Sequence, residues 1–422
     1  MRALQWLLLL PCVATAAAQQ PLTLRDAEQL ALKNNPTVKI ARLAELIEGQ
    51  VAREVRSSEL PSVTGNITAV DSHSGSRIAA AGALNNPIIY PRAAGGISAS
   101  QLFFDFGRSR NRVASASLQA QASAEQTRAA TAEITYAVDA AFFRSLNTQE
   151  MVTVSQQTVA ARQTTLDQIS ALAGAKLKSE LDRSFADVGL EQAKLLLLDA
   201  QNSADDAMAS LNTLLGNEQP NNYRLVAPIE MPSPPTDENN LLNAALASRP
   251  DLRALEDRFQ AAQKTARAEH DLSRPSISGL AAVGGSPVRA DQLTPWYGAV
   301  GVNLSIPIFN GFLFQSRAAV ADFQTQQADE SMHELRKRIA RDVHITYLQV
   351  QSGFKRIEVS DQYLRQSDVA LDLAQTRYSL GLSSIVELSQ AQLQRTQAAI
   401  ALSNARFDYQ AALASLRYET GQ

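Results

Sequence analysis

The stretch that decides the fold is RSRNRVASASLQAQASAEQTRAATAEITYAVDAAFFRSLNTQEMVTVSQQTVAARQTTLDQISALA, residues 108–173, which contains neither glycine nor proline. Residues 312–352 are equally free of both, and no proline follows Pro307. Alanine, serine and glutamine dominate these runs and favour helices with small side chains at their contacts. A helix of about 65 residues is about 98 Å long, longer than a globular domain requires. The two runs therefore predict long helices packed like coiled coils.

The chain is duplicated. LALKNNP at residues 30–36 recurs as AALASRP at 244–250, and LPSVTG at 60–65 recurs as RPSISG at 274–279, both at an offset of 214. FDFG at 104–107 matches IFNG at 308–311 at an offset of 204, and LNTLLG at 211–216 matches LRYETG at 416–421 at 205. The ten-residue change predicts a longer loop between the strands of the first half. Each half is predicted to be a helix, two strands and a long helical hairpin.

The duplication defines the domain plan. We predict a signal peptide at residues 1–18, a first repeat at 19–216, a linker at 217–240 and a second repeat at 241–422. The signal peptide is indicated by Arg2, an apolar run at residues 4–10 and alanines at 16–18. Its removal would leave no cysteine, since Cys12 is the only one. Five prolines mark the linker as irregular.

Strands are expected at about residues 62–70 and 95–104 in the first repeat, and at 276–283 and 298–309 in the second. AVGVNLSIPIF at 299–309 alternates apolar and small or polar residues over the length that a membrane strand requires. By the offset of 204, Ser98 and Ser100 occupy the positions of Val302 and Leu304. The alternation predicts a sheet with one apolar face.

Aromatic residues cluster where the predicted strands end. They favour an interfacial belt in a membrane, with the core of a sandwich as the alternative. The residues concerned are Phe103, Phe104, Trp296, Tyr297 and Phe309.

Four strands do not close a barrel, and open sheet edges are not tolerated in lipid. The strands therefore predict a homotrimer with a 12-stranded transmembrane β-barrel, a size known for such barrels. The fold class is mainly α with a small β part, in which duplicated helical hairpins form a tunnel. The alternative is a periplasmic or surface coiled-coil structural protein without channel activity.

Composition excludes several function classes. The formal net charge is −3, and no basic stripe indicates a nucleic-acid partner. One cysteine and four scattered histidines give no basis for a metal site. No nucleotide-binding, hydrolase or metalloprotease motif occurs. We therefore expect no enzyme activity, no catalytic residue, no metal and no cofactor.

Four segments carry a family resemblance. RYSLGLSSIVELSQAQ at residues 377–392 and its first-half counterpart LKSELDRSFAD at 177–187 resemble the hairpin tips of the outer-membrane efflux protein family, the TolC-like channels. QLFFDFGRSR at 101–110 and IPIFNGFLFQSRA at 306–318 resemble that family's strand-to-helix junctions. The resemblance covers essentially the whole chain after residue 18.

The resemblance implies a passive channel in the outer membrane, with a tunnel extending into the periplasm. Such channels belong to tripartite efflux or type I secretion systems. Their expected partners are outer-membrane lipid, a periplasmic adaptor (membrane fusion) protein and an inner-membrane transporter of the RND, ABC or MFS type. Drugs, metals, peptides and secreted proteins stay open as cargo.

The resemblance also implies that the hairpin tips dock on the adaptor. From the residues, Gly381 permits the second turn, and Ser384 caps the next helix with Glu387 at capping-box spacing. In the first tip Lys176 stands at the glycine position, and Gly174 is the candidate to serve the turn instead. The tip residues are Lys176, Leu177, Lys178, Ser179, Gly381, Leu382, Ser383 and Ser384.

A periplasmic gate is implied by the same resemblance. Tyr378 matches the gate tyrosine, and Glu387 and Asp182 match acidic positions. Ser383 stands where an arginine occurs in the family, and Gln390 where a second aspartate occurs, so a weakened charged lock is expected. The alternative for the two carboxylates is a favourable position at the start of a helix.

Overall fold

The structure is a computed structural model that describes residues 20–73, 75, 89–217, 221, 223–227 and 231–421. The predicted signal peptide lies outside the described residues. Within them the α-helices are α1 (Leu24–Asn34), α2 (Pro36–Arg56), α3 (Arg108–Gly174), α4 (Glu180–Leu214), α5 (Glu238–Ser248), α6 (Pro250–His270), α7 (Leu313–Ser379) and α8 (Ile385–Thr420). The strands are β1 (Gln20–Leu22), β2 (Ser62–Val70), β3 (Arg92–Phe104), β4 (Tyr223–Leu225), β5 (Ser276–Arg289) and β6 (Trp296–Ser305). The prediction of a mainly α chain with a small β part is confirmed.

Among the residues that the structure describes, no helix is both long enough and apolar enough to cross a membrane.

The two long helices have equal lengths. α3 and α7 each contain 67 residues, which corresponds to about 100 Å of helix. Each begins just after a glycine with positive φ, 92° at Gly107 and 62° at Gly311. α7 continues through Gly353, which packs against Tyr409 on α8. The glycine-free runs in the sequence therefore lie inside helices that match in length and in the way they begin.

The chain forms two compact units. Of the described residues, the first contains those within 20–39, 130–248 and 339–421. Its core joins α1, α3, α4 and α8 to the parallel pair β1–β4, with Phe142 and Leu211 fully buried. Part of the proline-rich linker is anchored to this unit, since the Tyr409 hydroxyl donates to the Pro232 carbonyl at 2.6 Å.

The second unit contains residues 40–129 and 249–338. Its helices approach closely through small side chains. The Ser115 hydroxyl on α3 donates to the Ala261 carbonyl on α6 at 2.9 Å and lies 2.8 Å from the Thr265 hydroxyl. Such contacts explain why alanine and serine are abundant where α3 meets α6.

The second unit also contains an antiparallel sheet in the order β2–β3–β5–β6. Its bounds differ from those expected. β6 ends at Ser305 rather than at Phe309, because Pro307 lacks the N–H that a continued ladder requires. β5 extends to Arg289, six residues beyond the expected end, and β3 begins at Arg92. The connection of the first strand pair, residues 71–91, is longer than that of the second, 290–295, as the offsets predict.

The two faces of the sheet differ in chemistry. Residues paired across antiparallel strands share a face, and alternate residues occupy opposite faces. One face is apolar and comprises Val63, Ile67, Ile97, Ala99, Ala281, Val283, Val300, Val302 and Leu304 among others. The other is mostly small or polar, with Leu102 and Leu280 as larger apolar members, and includes Ser62, Thr64, Asn66, Ser98, Ser100, Ser276, Ser278, Asn303 and Ser305. The predicted sheet with one apolar face is therefore observed.

A β-bulge changes the equivalence of the two halves. The β3–β5 register shifts between Leu102 and Phe104, so β3 contains one extra residue. As a result Ser98 lies on the polar face, whereas Val302 lies on the apolar face. The equivalence of Ser98 with Val302 expected from the offset is therefore wrong, because the offset does not account for the bulge.

Candidate functional site at the hairpin tips

The two hairpin tips of the first unit have the same backbone geometry. The N–H of Leu177 donates to the Leu172 carbonyl, and that of Lys176 to the Ala173 carbonyl, both at 2.9 Å. In the second tip, Leu382 donates to Arg377 at 2.8 Å and Gly381 to Tyr378 at 3.1 Å. These paired bonds define the Schellman motif that ends a helix.

Lys176 adopts the left-handed conformation itself. Its φ is 58°, against 74° at Gly381, and Gly174 is simply the last residue of α3. The expectation that Gly174 serves the turn is wrong, because the hydrogen bonds place the reversal at residue 176. The first tip thus tolerates backbone strain that a glycine would relieve.

Both helices that leave the tips begin with a serine cap. Ser179 Oγ accepts from the Asp182 N–H at 3.1 Å, and the Asp182 carboxylate accepts from the Ser179 N–H at 3.3 Å, completing a capping box. Ser384 Oγ accepts from the Glu387 N–H at 3.4 Å. Glu387 then pairs with Arg377 Nε at 3.1 Å instead of returning to its cap. The capping box predicted for the second tip is therefore only half formed.

Tyr378 is the residue on which the tips converge. It is 6% exposed and belongs to an apolar cluster. The cluster contains Ile169 from α3, Ala186 from α4, and Ile385 and Leu388 from α8. This cluster holds the four helix ends together beneath the turns.

Lys178 from the first tip covers Tyr378 from the second. Its Nζ lies 4.0 Å from the centroid of the Tyr378 ring and donates to the Tyr378 carbonyl at 3.4 Å. The Tyr378 hydroxyl is buried and has no hydrogen-bond partner within the described chain. Burial, and secondly the Asp182 charge, raise the pKa of Tyr378. Of the predicted gate, the structure therefore brings Tyr378 and Asp182 together and adds Lys178.

The other predicted gate residues are placed differently. Glu387 is engaged by Arg377, as described above. The Ser383 hydroxyl is buried without a partner within the described residues. Gln390 is exposed on α8. Of the residues predicted to dock, Lys178 and Ser383 are half-buried and the others are exposed at the turns, with Leu177 70% and Leu382 67% exposed.

Arg162 and Gln392 lie beneath the tips and were missed by the sequence analysis. Arg162 on α3 is 9% exposed and donates to the Gln392 side chain on α8. The only signal was Gly189 in the middle of α4, where a Cβ would lie 3.3 Å from the Arg162 guanidinium. A glycine inside a helix often marks such a close approach.

A second buried polar group lies in the core of the first unit. Asp139 on α3 is 5% exposed, and one of its oxygens has no hydrogen-bond partner in the described chain. Burial, then the charge and hydrogen bond of Glu28 on α1, raise the pKa of Asp139 to about 7, whereas Arg417 acts in the opposite direction. Within the described ranges no cluster of three histidine, cysteine or carboxylate side chains is arranged to hold a metal.

The predicted aromatic belt divides between the two faces of the sheet. Trp296 lies on the apolar face, and the bulge places Phe103 over Gly279 on the same face, next to Phe104. Tyr297 lies instead on the polar face, against Gly96 and Gly284. Phe309 follows the end of β6 and is 79% exposed, with its ring 5.9 Å from that of Phe312. Tyr297 was expected in the same aromatic belt as Trp296, but successive residues of a strand face opposite sides of the sheet, so the two rings lie on different faces.

Comparison with known proteins agrees with this architecture. The family model described as "Outer membrane efflux protein" matches residues 27–217 and 241–422. The chain therefore belongs to the outer membrane efflux protein family.

Individual relatives are distant. "Outer membrane protein TolC" of Escherichia coli (strain K12) is 23% identical over 286 residues, which are 64% of this chain and 57% of that protein. The chain thus spans less than two thirds of the length of that relative. "Outer membrane efflux protein BepC" of Brucella suis biovar 1 (strain 1330) is 23% identical over 421 residues, 97% of this chain and 88% of BepC. The crystal structure of the Campylobacter jejuni CmeC outer membrane channel has a TM-score of 0.82 at 17% identity, covering 94% of this chain and 85% of that one. The resemblance to the family is confirmed.

Proposed function

We propose that this protein is the outer-membrane channel of a tripartite efflux or type I secretion system. It provides a passive exit duct across the periplasm and the outer membrane, with no catalytic step of its own and no cofactor. Family membership supports this function, and the relatives TolC and BepC are named as outer membrane proteins.

The observation that carries the proposal is the sheet. Its apolar face is exposed in the single chain, with Ile67 93% and Val300 89% exposed. Within the described part of the chain, each of its edge strands β2 and β6 pairs with a single neighbouring strand. An exposed apolar face suits lipid, and unpaired edges in lipid require strands from further copies. Three copies give twelve strands, with the Ser, Thr and Asn face lining the lumen.

The helices and tips complete the proposal. α3 and α7, each about 100 Å long by helical rise, form the wall of a periplasmic tunnel. The two matched turns dock on a periplasmic adaptor protein, and an inner-membrane transporter supplies the energy. The apolar-face aromatics Trp296, Phe103 and Phe104 contact outer-membrane lipid at its interface.

The test combines location with strand pairing between copies. Cysteine in place of Thr64 on β2 is combined in turn with cysteine in place of Ala299, Gly301 or Asn303 on β6, all on the polar face. We expect the protein in the outer-membrane fraction, with disulfide-linked dimers and trimers for at least one pair and none for the matched singles. A soluble, uncrosslinked chain for every pair would favour the coiled-coil structural alternative.

A further inference from the structure

Arg162 is a buried cation for which the described residues supply no ion-pair partner. Two arginines among the described residues are about nine-tenths buried, Arg249 at 8% and Arg162 at 9% exposure. Arg249 pairs with Asp251 at 2.7 Å. No carboxylate in the described part of the chain forms an ion pair with Arg162. A buried charge usually requires such a partner, so Arg162 calls for an explanation.

The guanidinium of Arg162 connects both hairpins. Its Nη1 donates to Gln392 Oε1, and its Nη2 lies 3.4 Å from the Ser389 carbonyl oxygen, both on α8. Gln392 Nε2 donates in turn to Thr165 Oγ1 on α3 at 3.0 Å. On α4, Gly189 makes room for the same guanidinium. One side chain of the first hairpin therefore fixes the position of the second.

These contacts have two opposing effects. The hydrogen bonds favour the joined hairpins, since separation would break them. Burial without a counter-ion opposes them, and it lowers the pKa of Arg162. Replacing a buried ion pair by apolar groups of similar volume is often neutral or stabilising, whereas removing one partner is strongly destabilising because it leaves an uncompensated buried charge. Arg162 is already such a charge, and its replacement leaves only the neutral Gln392, which keeps its bond to Thr165.

We propose that Arg162 is a positioning residue that sets how firmly the two hairpin tips are held together. Its hydrogen bonds to α8 fix the register of the hairpins, and its uncompensated charge keeps their contact weaker than a neutral, apolar contact would be. In a channel, this balance leaves the mouth close to the point of opening, a consequence that rests on the proposed function. If Arg162 served only to hold the tips together, its removal would always loosen them, whereas the proposal predicts that its replacement by an apolar residue brings them closer.

The test measures the distance between the tips directly. Spin labels are attached to cysteines that replace Leu181 and Val386, which are 66% and 55% exposed near the two turns. The full chain is used with Cys12→Ser, and labelled chains are diluted with unlabelled ones so that distances within one copy dominate. The variants are Arg162→Met, Gln392→Leu and the double variant, with Arg162→Lys as the conservative change. The exposed Arg144→Met on the same helix is the matched control.

We expect Arg162→Met to shift the ratio of close to separated tips about fivefold or more toward the close state. Gln392→Leu, which leaves the charge without its side-chain acceptor, shifts the ratio toward separation, and the double variant returns to the close state. Arg162→Lys and Arg144→Met stay near the wild type. Loosening by Arg162→Met equal to that by Gln392→Leu, or no change in either variant, would overturn the inference.

Conductance of the same variants in planar bilayers separates this inference from the proposed function. We expect Arg162→Met to conduct less and Gln392→Leu to conduct more than the wild type. Distances that change as expected in a protein that never conducts would refute the channel and leave the role of Arg162 standing. A wild type that conducts, with tip distances unchanged in every variant, would support the channel and refute the role of Arg162.

Discussion

Asp139→Asn is expected to stabilise the protein at alkaline pH and to leave its stability near pH 4 unchanged. In the folded chain the pKa of Asp139 is raised from 3.8 to about 7, first by burial and then by Glu28. Between these values the folded chain holds a proton that the unfolded chain has lost. The free energy of unfolding therefore falls as pH rises from about 4 to 7 and is level above that. The asparagine has a similar shape and no charge, so it does not incur this loss.

The magnitude follows from the size of the shift. One pKa unit corresponds to about 1.36 kcal/mol, so the rise in the pKa of Asp139 from 3.8 to about 7 sets an upper bound of about 4 kcal/mol per chain at pH 8. We expect about 2–4 kcal/mol, and the pKa of about 7 already includes the opposing effect of the exposed Arg417 cation. For a chain of 422 residues that gain raises the thermal midpoint by roughly 2–5 °C.

The assay is thermal unfolding of the purified protein in detergent at pH 5, 6, 7 and 8. Asp167→Asn is the matched control, because Asp167 is exposed on the same helix and its carboxylate accepts from Gln163 at 2.8 Å. Glu28→Gln, which removes the neighbouring charge, is expected to give an intermediate pH dependence. Equal midpoints for wild type and Asp139→Asn at pH 8, with parallel pH profiles, would refute the buried, protonated carboxyl.

Three further variants test the tips and the sheet. Gly381→Val is expected to lower the free energy of unfolding by about 1–2 kcal/mol and to disable export while the sheet still inserts, because valine resists positive φ. Lys176→Gly at the matching turn is the control and is expected to be tolerated. Unchanged export and adaptor crosslinking in Gly381→Val would exclude a docking turn. The double variant Asp182→Ala/Glu387→Ala is expected to reduce block of bilayer conductance by multivalent cations more than it reduces stability. Identical block would mean that Asp182 only caps its helix and that Glu387 only pairs with Arg377. Gly284→Ala is expected to lower the thermal midpoint by an amount equivalent to about 1–3 kcal/mol, because the added methyl group would overlap the Tyr297 ring. Gly301→Ala is the control, because the space around Gly301 is open. An equal effect of both variants would contradict the placement of Tyr297.

The features that the sequence predicts well are those set by local chemistry. Absence of glycine and proline gives the long helices, and apolar alternation gives the strands and their apolar face. The serine caps follow from Ser179 and Ser384 standing three residues before an acidic residue. The family resemblance follows from the tip and junction motifs.

The features that it does not predict depend on contacts between distant segments. The bulge at Leu102–Phe104 moves Ser98 to the other face, and no local pattern in β3 reveals it. The left-handed conformation of Lys176 contradicts its intrinsic preference, since the turn geometry overrides it. Lys178 lies on Tyr378, 200 residues away in the chain. Arg162 meets Gln392 across 230 residues. Only the packed hairpins bring these pairs together.

The most direct measurement of the central claim is single-channel recording of the purified protein in a planar bilayer. Trimers are purified from outer membranes, identified by their heat-modifiable migration in gel electrophoresis, and reconstituted without adaptor or transporter. We predict discrete conductance steps, and a changed step size when Asn303 on the polar face of β6 is replaced by Asp, with no change for the matched Val302→Ile on the apolar face. Membranes that stay silent with intact trimers, or steps that respond to the apolar-face variant and not to the polar-face one, would contradict the account.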